Sequence, residues 1–341
     1  MPLPDFFVIG APKAGTTALH VALAQHPGLF MSRVKEPKHF LTDGPPPTRG
    51  GPGDAKTFRE YVWRREDYEA LFDAAPQGSL RGESTPFYLY DHEAQKRIVE
   101  TVPRARMVAL LRDPIDRAHS NWTHLWSAGL EPEGDFVKAC GLEQERAGRG
   151  WAQFWRYLEL GRYGEQLERL YRVVPREQVL LLRYRDLREN PIETLDRIFG
   201  FLGVEAGAVD TVPPENVTTH VTNSPRNRVV SALLRAGEAV EHRSPHGVWP
   251  PVRSWLSRQL QREQNFRDPL RPEQREALLP LVADDVRRLA DLTGECFDQW
   301  LAPHPVQRSS LRPAGKFGTG FTSIDDPFGE AAGQRTGGRR G

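Results

Sequence analysis

The stretch Phe6-Phe7-Val8-Ile9-Gly10-Ala11-Pro12-Lys13-Ala14-Gly15-Thr16-Thr17 decides the fold. Four consecutive apolar residues bounded by a Gly/Pro cluster and followed by helix-compatible sequence are what a buried parallel strand feeding a helix looks like. At such a junction the backbone N–H groups of the first helical turn have no helical partner. With the helix dipole they form an anion site. The two glycines keep the spacing of a nucleoside-triphosphate loop. However, Lys13 has moved inside the loop, and Thr16-Thr17 stands where such a loop places Lys-Ser/Thr. The phosphate cradle is kept and the metal-coordinating signature is lost, so the chemistry expected here needs no metal. A lysine and backbone N–H groups can meet the charge that develops on a departing phosphate.

The same strand-then-helix pattern recurs at Met107-Val108-Ala109-Leu110-Leu111 and at Val179-Leu180-Leu181-Leu182. Three such units predict an α/β fold with a P-loop-like central parallel β-sheet and helices on both faces. After Pro191, the residues Ile192, Leu195, Ile198, Phe199 and Leu202 share one helical face, and Gly203 is placed to end that helix. Leu278, Leu281, Val282, Val286 and Leu289 predict a last amphipathic helix over Glu273 to Thr293. Between the first two units, Gly44 to Asp54 reads as a long Pro/Gly loop of the kind that often serves as a lid, and Phe58 to Phe72 as a helical segment. Pro213 to Pro251 is irregular. The expected organisation is one domain over residues 1–302 and a flexible tail over 303–341, where Gly, Arg, Pro and Ser prevail.

The second strand runs into Leu111-Arg112-Asp113-Pro114-Ile115-Asp116-Arg117-Ala118-His119-Ser120. Pro114 can open a helix at its first position. Arg112 at the strand end and Ser120 in the helix can both face the crevice above the sheet. A guanidinium with a hydroxyl is a natural clamp for an isolated phosphate.

Together these segments resemble the superfamily of sulfotransferases that use 3'-phosphoadenosine-5'-phosphosulfate (PAPS) and release adenosine 3',5'-bisphosphate (PAP). Pro12 through Thr17 (Pro12, Lys13, Ala14, Gly15, Thr16 and Thr17) resembles the 5'-phosphosulfate loop, and Arg112 through Ser120 the 3'-phosphate motif. Gly82-Glu83-Ser84-Thr85-Pro86-Phe87-Tyr88, Leu160-Gly161-Arg162-Tyr163 and Lys35-Glu36-Pro37-Lys38-His39-Phe40 are similar to segments of the branch that contains the heparan sulfate enzymes and bacterial relatives. The resemblance spans about Asp5 to Val204. It implies direct in-line sulfuryl transfer, with Lys13 on the leaving phosphate and Glu36 as general base. One extra residue before His39-Phe40 leaves His39 as a rival base. Ser84 stands where the heparan-type enzymes carry a lysine, a charge that Lys35 or Lys38 can supply. The branch also implies a late basic loop, for which Arg226 in Asn223-Ser224-Pro225-Arg226 is the candidate. Lys35, Lys38, Glu83, Tyr88, His124 and Tyr163 are the candidate acceptor-binding residues.

The 46 Lys+Arg and 45 Asp+Glu nearly cancel, leaving a net charge of +1, so no nucleic-acid partner is expected. Cys140 and Cys296 are too few and too far apart for a disulfide framework or a zinc cluster. No apolar run reaches the ~20 residues that span a bilayer, and the start of the chain lacks a basic leader. A cytoplasmic enzyme acting on a small-molecule, glycan or lipid acceptor is expected. Three other readings compete. A metal-dependent kinase or NTPase would need Lys-Ser/Thr after Gly15. A non-catalytic PAP-binding protein would not need Lys13, Glu36, His39, Arg112 and Ser120 together. The aromatic runs Trp151 to Tyr163 and Trp249 to Trp255 could form a protein-interaction surface, although such runs are more often core or pocket lining.

Overall fold

In the computed structural model, residues 2–212, 225–240, 256 and 269–303 are described. The expected tail from 304 on, Asn223-Ser224 and the Trp249 to Trp255 run lie outside them. Five strands form one sheet in the order β2-β3-β1-β4-β5: β1 Phe6–Gly10, β2 Leu29–Met31, β3 Leu80–Ser84, β4 Arg106–Leu111 and β5 Val179–Arg183. Every pairing is parallel, with Val8 opposite Ser84 and Val108, and Leu111 opposite Arg183.

Strand alternation divides β1 between two cores. Phe7 and Ile9 face a layer containing Tyr163, Leu167, Val286 and Leu289. Phe6 and Val8 face Leu19, Leu23, Leu195, Ile198 and Phe199. The sheet is therefore covered on both sides, as the continuous apolar runs predict. Gly82 fits the central pairing because a side chain there would meet the Phe6 ring at 2.2 Å.

Five early helices matter for the site: α1 Thr16–Leu23, α2 Asp54–Arg59, α3 Arg65–Glu69, α4 His92–Thr101 and α5 Pro114–Ser127. The helix Pro191–Leu202 ends at Gly203 in the left-handed region, as its sequence predicts, and the late amphipathic helix spans Pro272–Thr293. The segment Phe58 to Phe72 is not one helix. It breaks after α2 because the Val62 N–H is taken by the Pro37 carbonyl (2.9 Å) while the Val62 carbonyl accepts from His39 Nδ1 (2.9 Å). These tertiary bonds outcompete the helical ladder. Trp155, Tyr157 and Tyr163 are buried core residues, so that aromatic run is not an exposed interaction surface. No helix among the described residues is long and apolar enough to cross a membrane.

Candidate active site

Parallel strands deliver their following loops to one edge, and ligands of such sheets sit outside the carboxyl ends of the strands. Here that edge receives Lys13 after β1, Glu36 after β2, Ser84 at the end of β3 and Arg112 after β4.

The loop after β1 turns through left-handed Lys13 (φ 66°) and Gly15 (φ 85°) before α1 begins at Thr16. The first turn of α1 carries no acidic residue, and the positive end of the helix dipole lies at this loop. Alternating backbone handedness of this kind gathers successive N–H groups into an anion-binding concavity. Thr16 is buried and Thr17 exposed.

The Arg112 guanidinium donates to the Lys13 carbonyl (3.0 Å) and lies over the Tyr184 ring at 4.8 Å, so the two phosphate motifs are physically joined. Asp113 caps α5 by accepting from Ile115 N (2.9 Å) and Asp116 N (3.0 Å), with Pro114 at the first helical position. Arg275 grips the same carboxylate with two bonds (2.7 and 3.1 Å) and ties the late helix to the phosphate motif. Ser120 and His124 are one helical turn apart, and both are more open to solvent than their buried neighbours Arg117, Asn121 and Thr123. His124 packs edge-on to Phe154 (5.7 Å). Partial desolvation, reinforced by Lys13, lowers the basicity of its imidazole even though much of the residue is exposed.

Glu36 sits in the left-handed region (φ 60°) as does Lys38 (φ 58°). Its N–H donates to the Ser84 carbonyl (3.0 Å), which pins the turn to the end of β3. Lys35 Nζ reaches Glu36 Oε1 at 2.5 Å, and Lys38 lies between Glu36 (4.0 Å) and Glu60 (3.8 Å) over the Tyr61 ring. Burial alone would raise the Glu36 carboxyl. The charges of Lys35, Lys38 and Lys13 outweigh it and hold the group below the usual carboxylate range. Glu36 is therefore an ionised carboxylate at neutral pH, with cations on several sides.

His39 is arranged differently. Its ring stacks on Tyr68 (4.1 Å, 5° between planes), and Nδ1–H is committed to the Val62 carbonyl. Burial lowers its basicity. With Nδ1–H on the Val62 carbonyl, Nε2 is the ring nitrogen that keeps its lone pair.

Three residues expected to bind the acceptor are buried. Glu83 and Tyr88 are fully buried and Tyr163 is 1% exposed. Glu83 faces the hydroxyls of Tyr88, Tyr68 and Thr85, and burial pushes its carboxyl up to about 8. The Tyr88 and Thr85 hydroxyls in turn accept from the N–H groups of Phe40 and Lys38 (3.3 Å each). These two bonds support the Glu36 segment from below. The place of the heparan-type lysine, Ser84, is also fully buried and bonds His20 Nδ1 (2.9 Å). Burial, reinforced by Lys35, pushes His20 down to about 4. The charge beside Glu36 comes from Lys35 and Lys38. Arg226 lies in the helix Pro225–Val240, and its side chain is outside the described residues.

Sequence reasoning missed Arg117, His20, Asp54 and Arg275. Arg117 had a usable signal, one turn before Ser120 on the helix that follows Arg112. The others act through partners distant in sequence and carry no local mark.

The model of the sulfotransferase family matches residues 4–207. The human bifunctional heparan sulfate N-deacetylase/N-sulfotransferase 3 is 31% identical over 210 residues, which is 59% of this chain and 22% of that protein. The human heparan sulfate glucosamine 3-O-sulfotransferase 3B1 is 27% identical over 60% of this chain and 47% of its own length. The chain thus spans less than half the length of these relatives. A sulfotransferase structure from Alicyclobacillus acidocaldarius superposes with a TM-score of 0.67 at 26% identity, covering 88% of this chain and 99% of that one. With 204 of its 341 residues inside the matched region and its fold shared with that bacterial enzyme, the chain belongs to the sulfotransferase family.

Proposed function

We propose that the chain transfers a sulfuryl group from PAPS directly to a hydroxyl or amine of a small-molecule, glycan or lipid acceptor, in the cytoplasm. The observation that carries this reading is the convergence on Lys13. Its carbonyl is held by Arg112 at 3.0 Å, and its ammonium acts electrostatically on both Glu36 and His124. The closeness of the loop after β1 to both groups supports this reading.

The residues present fit an adenosine bisphosphate: Lys13, the backbone of Pro12 to Thr17 and the positive end of α1 for the 5' side, Arg112 and Ser120 for the 3'-phosphate. PAPS, when bound, supplies the sulfuryl group and a phosphate leaving group. Glu36, already ionised, takes the proton of the acceptor nucleophile. Lys35 and Lys38 keep Glu36 in that state and offer charge to a polar or anionic acceptor. Lys13 neutralises negative charge at the loop. His124 is uncharged near neutral pH and can hydrogen-bond an acceptor without repelling Lys13. Glu83, Tyr88 and Tyr163 act as supports. The two free cysteines, Cys140 and Cys296, suit a reducing compartment.

Thermal unfolding with PAP, 5'-AMP and ATP–Mg²⁺ tests the donor reading, because a ligand that binds only the native state raises its stability with occupancy. A rise with PAP alone supports it. A rise with ATP–Mg²⁺ and none with PAP overturns it in favour of a kinase. Labelled PAPS offered with a panel of phenols, sugars and lipid headgroups then identifies the acceptor. PAP binding with no transfer to any of them would favour a non-catalytic PAP-binding protein.

A further inference from the structure

Arg117 is fully buried in α5 directly behind the phosphate loop. Its Nη1 reaches the Pro12 carbonyl (3.4 Å) and Asn121 Oδ1 (3.0 Å), its Nη2 the Tyr157 carbonyl, and its Nε has no hydrogen-bond partner among the described residues. All three acceptors are neutral. Glu143, whose charge reaches Arg117, is bonded to the N–H groups of Leu158 and Glu159 instead. A guanidinium stays protonated even when burial lowers its basicity, and a buried charge without a bonded counter-ion is expensive. Well-packed apolar residues would fill this place at lower cost, so stability does not account for an arginine here.

The Pro12 contact supplies a reason. A peptide unit is planar, and in its trans form the C=O and the following N–H point to opposite sides. Holding the Pro12 carbonyl towards α5 therefore directs the Lys13 N–H away from α5. Arg112 holds the next carbonyl, that of Lys13, in the same manner. Lys13 itself is left-handed, a conformation unfavourable for a non-glycine residue that persists only when its surroundings impose it.

We infer that Arg117 is a positioning residue for the 5'-phosphate cradle: by anchoring the Pro12 carbonyl it fixes the Lys13 peptide for an anion, and its buried charge is balanced by that anion. The inference rests on the donor reading of the loop.

The test compares PAP with adenosine 3'-phosphate, which lacks the 5'-phosphate, by titration calorimetry on the full chain. Two variants are used. Arg117→Lys keeps the charge but replaces the planar fork, whose two terminal nitrogens reach separate acceptors, with a single point donor. Asn121→Asp is nearly isosteric, gives Arg117 a bonded counter-ion and draws it from Pro12, at the loss of the Asn121 Nδ2 bond to the Phe154 carbonyl (2.9 Å), which lies away from the loop's own hydrogen bonds, and so remains informative if the lysine variant folds poorly. Each variant is expected to weaken PAP by about tenfold or more, the scale of a charge-assisted contact, and to leave adenosine 3'-phosphate within about twofold. A general loss of structure would weaken both ligands together, and that outcome overturns the inference, as does unchanged PAP affinity in both variants. If the wild-type protein binds PAP no more tightly than adenosine 3'-phosphate, the donor reading itself fails. A wild-type preference that survives both variants removes only the role of Arg117.

Discussion

Lys35 Nζ lies 2.5 Å from Glu36 Oε1, in a turn where Glu36 is left-handed and only about a quarter of its side chain is exposed. The pair sets the protonation state of the proposed base. Because Lys35, Lys38 and Lys13 overcome the effect of burial, the folded-state pKa of Glu36 is below its ordinary value of 4.5. The base stays active down to pH values below 4.5, and the acid limb of the transfer rate falls there. Lys35→Met removes the largest opposing charge and should move that limb to higher pH. Single-turnover transfer from labelled PAPS across pH 3.5 to 8 would show it. An acid limb that does not move separates Lys35 from the base.

Glu36→Gln should abolish transfer by about two to four orders of magnitude while PAP binding persists, as loss of a general base does. His39→Gln should retain most of the rate, because burial against Tyr68 makes the His39 ring a weaker base than a free imidazole. The reverse pattern would make His39 the base. Lys13→Ala should lower turnover by about two to three orders of magnitude, the usual effect of losing a transition-state charge partner. Near-normal turnover in that variant would remove its role.

Buried Glu83 predicts a pH dependence of stability. Its folded pKa is raised to about 8 from 4.5 by burial. A raised value means that its contribution is fully present below about 4.5 and is lost as pH rises through about 8. The groups facing it are the hydroxyls of Tyr68, Tyr88 and Thr85, and none of them is a cation. Glu83→Gln keeps a neutral hydrogen-bonding side chain and should flatten the decline in melting temperature between pH 5 and 8. Equal slopes for the two proteins would mean that Glu83 does not titrate in this range.

The parts of the site that were legible in the sequence depend on local rules. The loop from Gly10 to Thr17, the Asp113-Pro114 helix start and the Gly203 stop each follow from the chain's own neighbours. Strand β3 was not legible as a strand, because Glu83 and Ser84 are polar yet fully buried, Ser84 against His20 and Glu83 facing the hydroxyls of Tyr68 and Tyr88, all from elsewhere in the chain. Strand β2 has only three residues, too short for a periodicity to show. The packing of His39 could not be read from the sequence, because its partners, Val62 and Tyr68, lie more than twenty residues away. Burial of Glu83, Tyr88 and Tyr163 could not be read either, since a motif fixes chain order and leaves depth to packing.

Asp54 shows how the Gly44 to Asp54 loop is held. Its carboxylate accepts from Gly51 N (2.6 Å), Ala152 N (2.8 Å) and Trp155 Nε1 (2.8 Å), tying the end of the loop to the aromatic wall that follows α5 in the chain. Burial raises its pKa, and the three donors oppose that rise. A buried carboxylate bound this way cannot be replaced by an apolar group without stranding three donors, each costing about 1–3 kcal/mol. Asp54→Ala should therefore free the loop before it unfolds the sheet, because the core of β1 and β4 makes no use of it. Limited proteolysis should cut the variant between residues 44 and 54 under conditions that spare the wild-type protein, with PAP binding retained. If the loop forms one wall of the acceptor site, the KM for the acceptor rises while the affinity for PAP is unchanged. A parallel loss of both would place Asp54 in the general scaffold and remove the loop from acceptor recognition.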